Sequence, residues 1–398
     1  MTTVEQSYPH RLYPRLAILA VGLFITGTNG FLIAGLLPSI ATTLHVQASD
    51  VSYSITYYAV VVAVAAPLVS ILLPRMSRTT LMSLGLVLIL LGTVVAAAAP
   101  TLLVFTLGRL IAALGGAALV PAATATAAIL AAPARRGRAI AFVAVGFTAA
   151  VAFGAPLGTA IASVGGWRLP LFGLAALAGL TAIAVAVFVR HIPLGAPVSA
   201  RRRFGILRDP RTLLVLVTTL LVVAGFNIVY IFSSAVTATA TGGSSSLLAF
   251  LLLVFGVSGI AGNSAAGPLT DRFGNRVVAI AVLSLLIVSL IAIAFVSNSL
   301  LAIAIVFVFW GVSSNAVSLP VQHRLVEIDP TTAGISLSWF STALYGGIAI
   351  APPLGALALG LGGADLVPIF GAGAAALAMI AFLVASVRRQ VGAPALAS

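Results

Sequence analysis

The sequence predicts an all-α integral membrane protein of about twelve spanning helices, arranged as two pseudo-symmetric six-helix halves. Three observations carry that reading: a composition starved of charge, a regular succession of apolar runs, and arginines that alternate from loop to loop. Of 398 residues, 61% are hydrophobic and 7% charged, with a mean hydropathy of +1.22. A soluble domain carries roughly a quarter charged residues. A chain this poor in charge cannot cover a water-facing surface, so lipid must surround it. The net charge of +13 rests on 20 arginines, with no lysine at all. These lie between apolar runs and not on one folded face, so the expected partner is the lipid bilayer and not nucleic acid. With no cysteine in the chain, disulfides and thiolate metal sites are excluded. The first apolar run, from Leu16, lacks a small-residue cleavage site before the next helix, so no cleaved signal peptide is expected.

A spanning helix needs about 20 apolar residues. Runs at 16–38, 51–73, 81–99, 102–131, 139–162, 169–189, 212–236, 247–269, 277–296, 299–320, 334–360 and 366–387 meet that need. The longest hydrophilic interruption, HIPLGAPVSARRRFGILRDPR at 191–211, divides them into two sets of six. The expected organisation is therefore an N-terminal half (1–190), a linker (191–211) and a C-terminal half (212–398).

Orientation follows from the arginines, which concentrate in cytoplasmic loops. Alternate loops, the linker and both termini hold 18 of the 20, from Arg11 and Arg15 through to Arg388 and Arg389. The exceptions are Arg109, inside the fourth run, and Arg168. Both termini are accordingly expected in the cytoplasm. Abundant alanine without lysine fits a GC-rich bacterial genome, and hence an inner-membrane location.

The halves echo one another. Ala66-Pro67-Leu68 matches Gly267-Pro268-Leu269 at an offset of 201, and Pro156-Leu157-Gly158 matches Pro353-Leu354-Gly355 at an offset of 197. Duplicated halves around a central site are the layout of alternating-access transporters.

Three segments carry more chemistry. In GPLTDRFGNR, Gly267 and Gly274 allow close approach and a tight turn, while Asp271 can pair with an arginine or accept helix N-terminal amides, latching that face. Arg272 and Arg276 complete the loop. Its first-half counterpart, APLVSILLPRMSR, has lost the acid and keeps Arg75 and Arg78. In LGRLIAALGGAAL, Arg109 precedes Gly115. An arginine this deep in a bilayer is expensive and is either functional, a side chain that snorkels to the outer interface, or a brace against backbone carbonyls. In GFTAAVAFGAPLG, Gly146, Gly154 and Gly158 remove side chains at a helix contact and Pro156 removes a backbone hydrogen bond. Ordinary small-residue packing would use the same residues.

With GTNGFLIAGLLPSIA, GGWRLPLF and FGVSGIAGN, these segments resemble the major facilitator superfamily over nearly the whole chain. The similarity is to its drug and metabolite exporters, of the sugar or arabinose efflux-like type. That resemblance implies secondary export by alternating access, driven by proton antiport, with no cofactor and a monomeric protein. It assigns conformational roles to Gly115, the glycine-proline segment and the Asp271 loop. One departure stands out: relatives often carry a carboxylate in the first helix just before the phenylalanine, where this chain has Gly30 before Phe31.

No Asp or Glu lies between Asp50 and Asp209, and all seven acids sit near helix ends or in loops. Proton coupling needs a group whose pKa swings as access alternates, which leaves Asp50 and Asp271, both at gates. Asp50 equally suits a helix cap. An uncoupled facilitator or an anion exchanger organised on Arg109 is the alternative.

Mid-helix polar and aromatic residues mark a candidate pocket for a small-molecule substrate: Thr28, Asn29, Tyr58, Arg109, Asn227, Tyr230, Trp310, Asn315 and Tyr345. Such groups want partners at membrane depth, supplied by a ligand or by neighbouring helices. No phosphate-binding loop, metal spacing or hydrolytic triad accompanies them, so no enzymatic activity is expected.

Overall fold

The structure, a computed structural model, describes residues 9–73, 75–132, 135–190, 192, 204–296 and 298–387. Glu5, His191, Arg201, Arg202, Arg203, Arg388 and Arg389 lie outside these residues. Twelve described helices are long and apolar enough to cross a membrane, and no strand occurs among the described residues. They are α1 (Pro9–Leu44), α2 (Ala48–Leu72), α3 (Arg78–Ala97) and α4 (Leu102–Leu130). Next come α5 (Arg136–Gly165) and α6 (Arg168–Phe188), then α7 (Pro210–Ile231) and α8 (Ser245–Phe273). The last four are α9 (Asn275–Val296), α10 (Leu300–Ile328), α11 (Ala333–Gly362) and α12 (Leu366–Val387).

Several helices outrun the expected spans, and three show why. The first was expected at 16–38, yet α1 continues to Leu44 because Thr42 and Thr43 return their hydroxyls to the carbonyls of Pro38 and Ser39 at 2.9 and 2.8 Å. Polar side chains that satisfy themselves on the preceding turn do not stop a helix. Expected at 139–162, α5 runs from Arg136 to Gly165 and contains a π-helical stretch, Ala150–Gly154. The tenth helix, expected at 299–320, bends at Val317 and extends to Ile328 as an amphipathic piece, Ser318–Ile328. Arg324 holds that piece by donating Nη2 to the Ala385 carbonyl of α12 at 3.0 Å and Nη1 to Glu327 at 3.4 Å.

The chain forms two compact units. Unit 1 comprises Met1–Val46 and Val64–Pro197, and unit 2 comprises Gln47–Ala63 and Val198–Ser398. The first part of α2 thus belongs with unit 2, where the Thr56 hydroxyl donates to the Ala349 carbonyl of α11 at 2.8 Å.

Within unit 1, glycines bring α3 and α4 into backbone contact. A Cβ on Gly108 would fall 2.6 Å from the Gly92 carbonyl oxygen, and one on Gly85 would fall 2.8 Å from that of Gly115. In unit 2, α7 and α12 meet likewise at Gly225 and Gly371, each of whose Cβ would strike the other's carbonyl oxygen, at 2.8 and 2.6 Å. Lipid offers no hydrophobic drive for helix association, so close packing of small residues supplies the attraction.

Candidate functional site

The centre of α1 and the first half of α4 place three of the expected residues in unit 1. Thr28, Asn29 and Arg109 are all buried, with Arg109 2% exposed. Arg109, reaching from α4, donates Nη1 to Asn29 Oδ1 at 2.6 Å and also to the Asn29 backbone carbonyl. The Asn29 amide nitrogen passes the contact on to Thr93 Oγ1 of α3 at 2.7 Å. One guanidinium thereby ties α1, α3 and α4 together. Asparagine suits the middle of this chain because its amide carries an acceptor for the arginine and a donor for the threonine. Thr93 was not among the residues expected from the sequence. A lone threonine in an apolar helix usually bonds its own backbone, and nothing in the sequence marks this one as different.

Beside the brace, Gly30 faces open space, with nothing within 4 Å of a Cβ built on it. Thr28 lies 6% exposed, and its hydroxyl has no partner among the described residues. It rests on Gly154 of α5, where an added Cβ would collide with Oγ1. Gly146 meets the Ala20 backbone, which leaves no room for a methyl group, and Gly158 meets the end of the Leu32 side chain, both in α1.

The π-helical stretch explains how these glycines share one face. At 3.6 residues per turn, positions eight apart in a regular helix diverge by about 80°. The extra residue of a π turn absorbs most of that rotation, so Gly146 and Gly154 both address α1. Pro156 enters just after the bulge, at the start of the following α-helical segment, where its missing N–H costs least.

Unit 2 repeats the helix contact without the polar brace. Gly347 of α11 abuts the Leu220 backbone of α7, and Gly355 abuts the Phe232 ring. Tyr230 and Trp310 are fully buried in an aromatic cluster with Phe255 and Phe307. Ring centroids are 5.3 Å apart for Tyr230–Phe255, 4.3 Å for Phe255–Trp310 and 4.8 Å for Phe307–Trp310. The Trp310 indole N–H has no partner among the described residues. Asn227 and Asn315 turn their amides onto their own helices, to the carbonyls of Val223 at 2.9 Å and Gly311 at 3.2 Å. Tyr58 of α2 and Tyr345 of α11 lie within electrostatic range of each other. Phe232 and Phe255 escaped the sequence reading because one phenylalanine among 20 carries no positional mark of its own.

The loop expected around Asp271 is helical up to Phe273, so Asp271 and Arg272 lie in the last turn of α8. Gly274 has φ 81° and ends the helix, its amide returning to the Thr270 carbonyl at 2.9 Å. Only glycine adopts that left-handed backbone cheaply. The expected close approach at Gly267 is not found, since a Cβ there would meet Leu319 at an ordinary 3.7 Å. Gly115, by contrast, abuts the Gly85 carbonyl of α3. Asp271 and Arg276 are exposed, and Asp271 has no hydrogen bond or ion pair among the described residues. Arg272 stacks on Phe273 at 5.2 Å.

Asp50, Asp209 and Asp329 serve helix ends. Asp50, exposed, accepts the Gln47 amide at 3.1 Å. Asp209 accepts that of Arg211 at 2.8 Å. Asp329 accepts from the hydroxyls of Thr331 and Thr332 at 2.6 and 2.9 Å, and these bonds hold its carboxyl below the usual range.

Comparison with known proteins agrees with this architecture. A family model described as Major Facilitator Superfamily matches residues 19–327 and 215–397. The MFS-type transporter YbcL of Bacillus subtilis (strain 168) is 30% identical over 342 residues, spanning 86% of this chain and 87% of that protein. The inner membrane transport protein YdhP of Escherichia coli (strain K12) is 30% identical over 379 residues, spanning 95% of this chain and 97% of that protein. Among solved structures, the nucleoside transporter NupG superimposes with a TM-score of 0.76 at 14% identity, over 94% of this chain and 99% of that one. A bacterial homologue of the human lysosomal transporter Spinster, inward-facing and unoccupied, gives 0.70 at 19%, over 96% of both chains. At those identities the two structures speak for the fold alone.

Proposed function

Because this chain belongs to the major facilitator superfamily, and so is a multi-pass membrane transporter, we propose that it exports small drugs or metabolites from a bacterial cell by alternating access. The observation that carries the direction is the α1–α5 contact. Gly146, Gly154 and Gly158 are seated against α1 by a π turn and followed by Pro156, a segment similar to the glycine-proline segment of the family's exporters. The arginine distribution supports cytoplasmic termini, and a monomer in the inner membrane is the simplest working unit.

The substrate class follows from the mid-helix polar groups of each unit, since a few polar handles in apolar surroundings suit a mostly apolar solute. In this reading Thr28 is the handle within unit 1, and Tyr58 and Tyr345 are those within unit 2. Arg109 acts through Asn29, holding α1 in place, and Tyr230 and Trp310 stiffen unit 2. Asn227 and Asn315 stay satisfied on their own helices until a ligand competes for them. Gly115, Gly267, Asp271, Arg272, Gly274 and Arg276 belong to the moving cytoplasmic ends.

Proton antiport is the proposed driving force, with Asp50 and Asp271 as carriers because both are exposed carboxylates at helix ends. One observation favours a second reading, an uncoupled facilitator or exchanger: every described acid lies at a helix end, and Asp50 already serves as a cap. Flux in proteoliposomes separates the two. Uphill efflux of a solute driven by an imposed pH gradient supports antiport. Downhill flux indifferent to that gradient supports the facilitator, and no flux from a panel of apolar and amphiphilic solutes defeats the substrate assignment.

A further inference from the structure

Unit 1 is a cation with almost nothing inside it to neutralise it. Glu5 is its one acidic residue, and no Asp or Glu occurs from Val64 to Pro197. Against this stand Arg15, Arg75, Arg78, Arg135, Arg136, Arg138 and Arg190, all at one end of the unit. Three contacts between helix ends establish the grouping. The Tyr13 ring of α1 lies 6.2 Å from Phe142 of α5, Thr126 of α4 reaches the Met82 sulfur of α3 at 3.9 Å, and the Thr79 hydroxyl donates to the Val189 carbonyl after α6 at 2.5 Å.

The opposite end behaves differently. Its one arginine, Arg168, is consumed by the protein, lying 4.4 Å over the Trp167 ring and donating to the Ala99 carbonyl at 3.1 Å. At the crowded end, the side chains of Arg15, Arg75, Arg78, Arg135, Arg136 and Arg138 have no hydrogen-bond, ion-pair or ring partner among the described residues. The Thr79–Val189 bond sets Arg78 and Arg190 at one corner. Arg78 is half-buried there, and its Nε is shut off from solvent without a partner. The Nε of Arg190 returns to the Ala186 carbonyl, which leaves its two terminal nitrogens for an acceptor outside the chain.

We propose that this end of unit 1 is a binding surface for the headgroup phosphates of anionic phospholipids, with Arg78 and Arg190 as its principal clamp. A planar guanidinium fork matches phosphate oxygens two at a time. The corner sits where a spanning helix leaves the hydrocarbon, the depth at which headgroup phosphates lie. Basic clusters beside spanning helices attract anionic headgroups. The exposed Arg135, Arg136 and Arg138 add a diffuse, salt-sensitive attraction that fades beyond a Debye length of about 8 Å at physiological ionic strength.

The test uses the purified full-length protein in neutral detergent. Phosphatidylglycerol and phosphatidylcholine of matched chains are titrated, with retained lipid counted by native mass spectrometry and unfolding followed by a thermal midpoint. Phosphatidylglycerol should be retained and raise the midpoint, while phosphatidylcholine should do neither. The double substitution Arg78→Gln with Arg190→Gln should weaken phosphatidylglycerol retention at least tenfold, and Arg78→Lys with Arg190→Lys should keep part of it. Equal effects of the two lipids, or undiminished retention in the glutamine variant, overturn the proposal. So does free glycerol phosphate reproducing the midpoint shift, which would make this a soluble-anion site. Should the glutamine variant fail to fold, retention by the parent decides. Loss of retention as potassium chloride is raised supports the clamp, and indifference to salt overturns it.

Discussion

Arg109 and Asn29 stand 80 positions apart in sequence and share two hydrogen bonds, one at 2.6 Å to the side-chain oxygen and one to the backbone carbonyl. Bonding the carbonyl binds the arginine to the course of α1 itself, not only to a neighbouring side chain. Loss of the guanidinium leaves the buried side-chain oxygen of Asn29 without this donor and loosens the amide that donates to Thr93 of α3. Such losses cost about 1–3 kcal/mol per group.

Arg109→Ala is therefore expected to insert yet unfold at a lower temperature and transport at least tenfold more slowly. Arg109→Lys should recover part of both, since an ammonium reaches one oxygen but lacks the planar fork. Flux per inserted molecule and a detergent melting curve check this. Wild-type flux in the alanine variant would remove the brace from the transport cycle.

The α1–α5 contact predicts opposite outcomes for two chemically identical substitutions. Gly146→Ala forces a methyl group into the Ala20 backbone, which cannot swing away, at a cost of about 1–3 kcal/mol or more. Gly30→Ala meets open space and should be neutral, or stabilising by up to about 1 kcal/mol through helix propensity. Melting midpoints of both variants compare the two directly. Equal behaviour would mean that α5 does not seat on α1 in this register.

Trp310→Ala empties the centre of the unit 2 aromatic cluster and should cost about 3–5 kcal/mol. Trp310→Phe keeps most of the ring contact and gives up an indole N–H that has no partner among the described residues, so the loss should be much smaller. Saturation kinetics supply the second readout. A bracing role predicts an apparent KM within a few-fold of the parent in the phenylalanine variant, whereas a direct ligand contact predicts a clear rise.

From the first turn of α2, Asp50 accepts the Gln47 amide, a bond that an asparagine Oδ1 can also accept, so Asp50→Asn should melt within about 1 kcal/mol of the parent while losing its titratable proton. If Asp50 carries the antiported proton, the variant keeps downhill flux and loses gradient-driven accumulation. Accumulation that survives in Asp50→Asn excludes it as carrier. Asp271→Asn, in the exposed last turn of α8, should instead slow the exchange between inward-open and outward-open forms, with substrate affinity changed only a few-fold.

Asp329 gives a pH dependence whose sign is fixed by its hydrogen bonds. The donors Thr331 and Thr332 hold its folded-state carboxyl below the ordinary value. The stabilisation it contributes is thus complete above the usual aspartate range and is lost as pH falls through the depressed folded value. Asp329→Ala should flatten the acid limb of a stability–pH curve by lowering stability at neutral and alkaline pH, while the most acidic pH is nearly unchanged. An unaltered acid limb would contradict the assignment.

The sequence by itself determined the class and the number of spans, because hydropathy is a local signal that lipid imposes along the chain. It marked Arg109, Asn29, Gly146, Gly154 and Gly158 as unusual for their depth. Only the tertiary structure decided what they do. Whether Arg109 faces a ligand or braces α1 depends on how α4 is rotated against α1 and α3, and helix rotation leaves no trace in hydropathy. The same holds for Thr93, which became the third member of the brace only once α3 was set beside α1. The π turn that brings Gly146 and Gly154 onto one face is a register shift of a single residue, invisible to composition. The first part of α2 joined unit 2 because Thr56 found the Ala349 carbonyl far along the chain, and no local pattern encodes a partner at that separation.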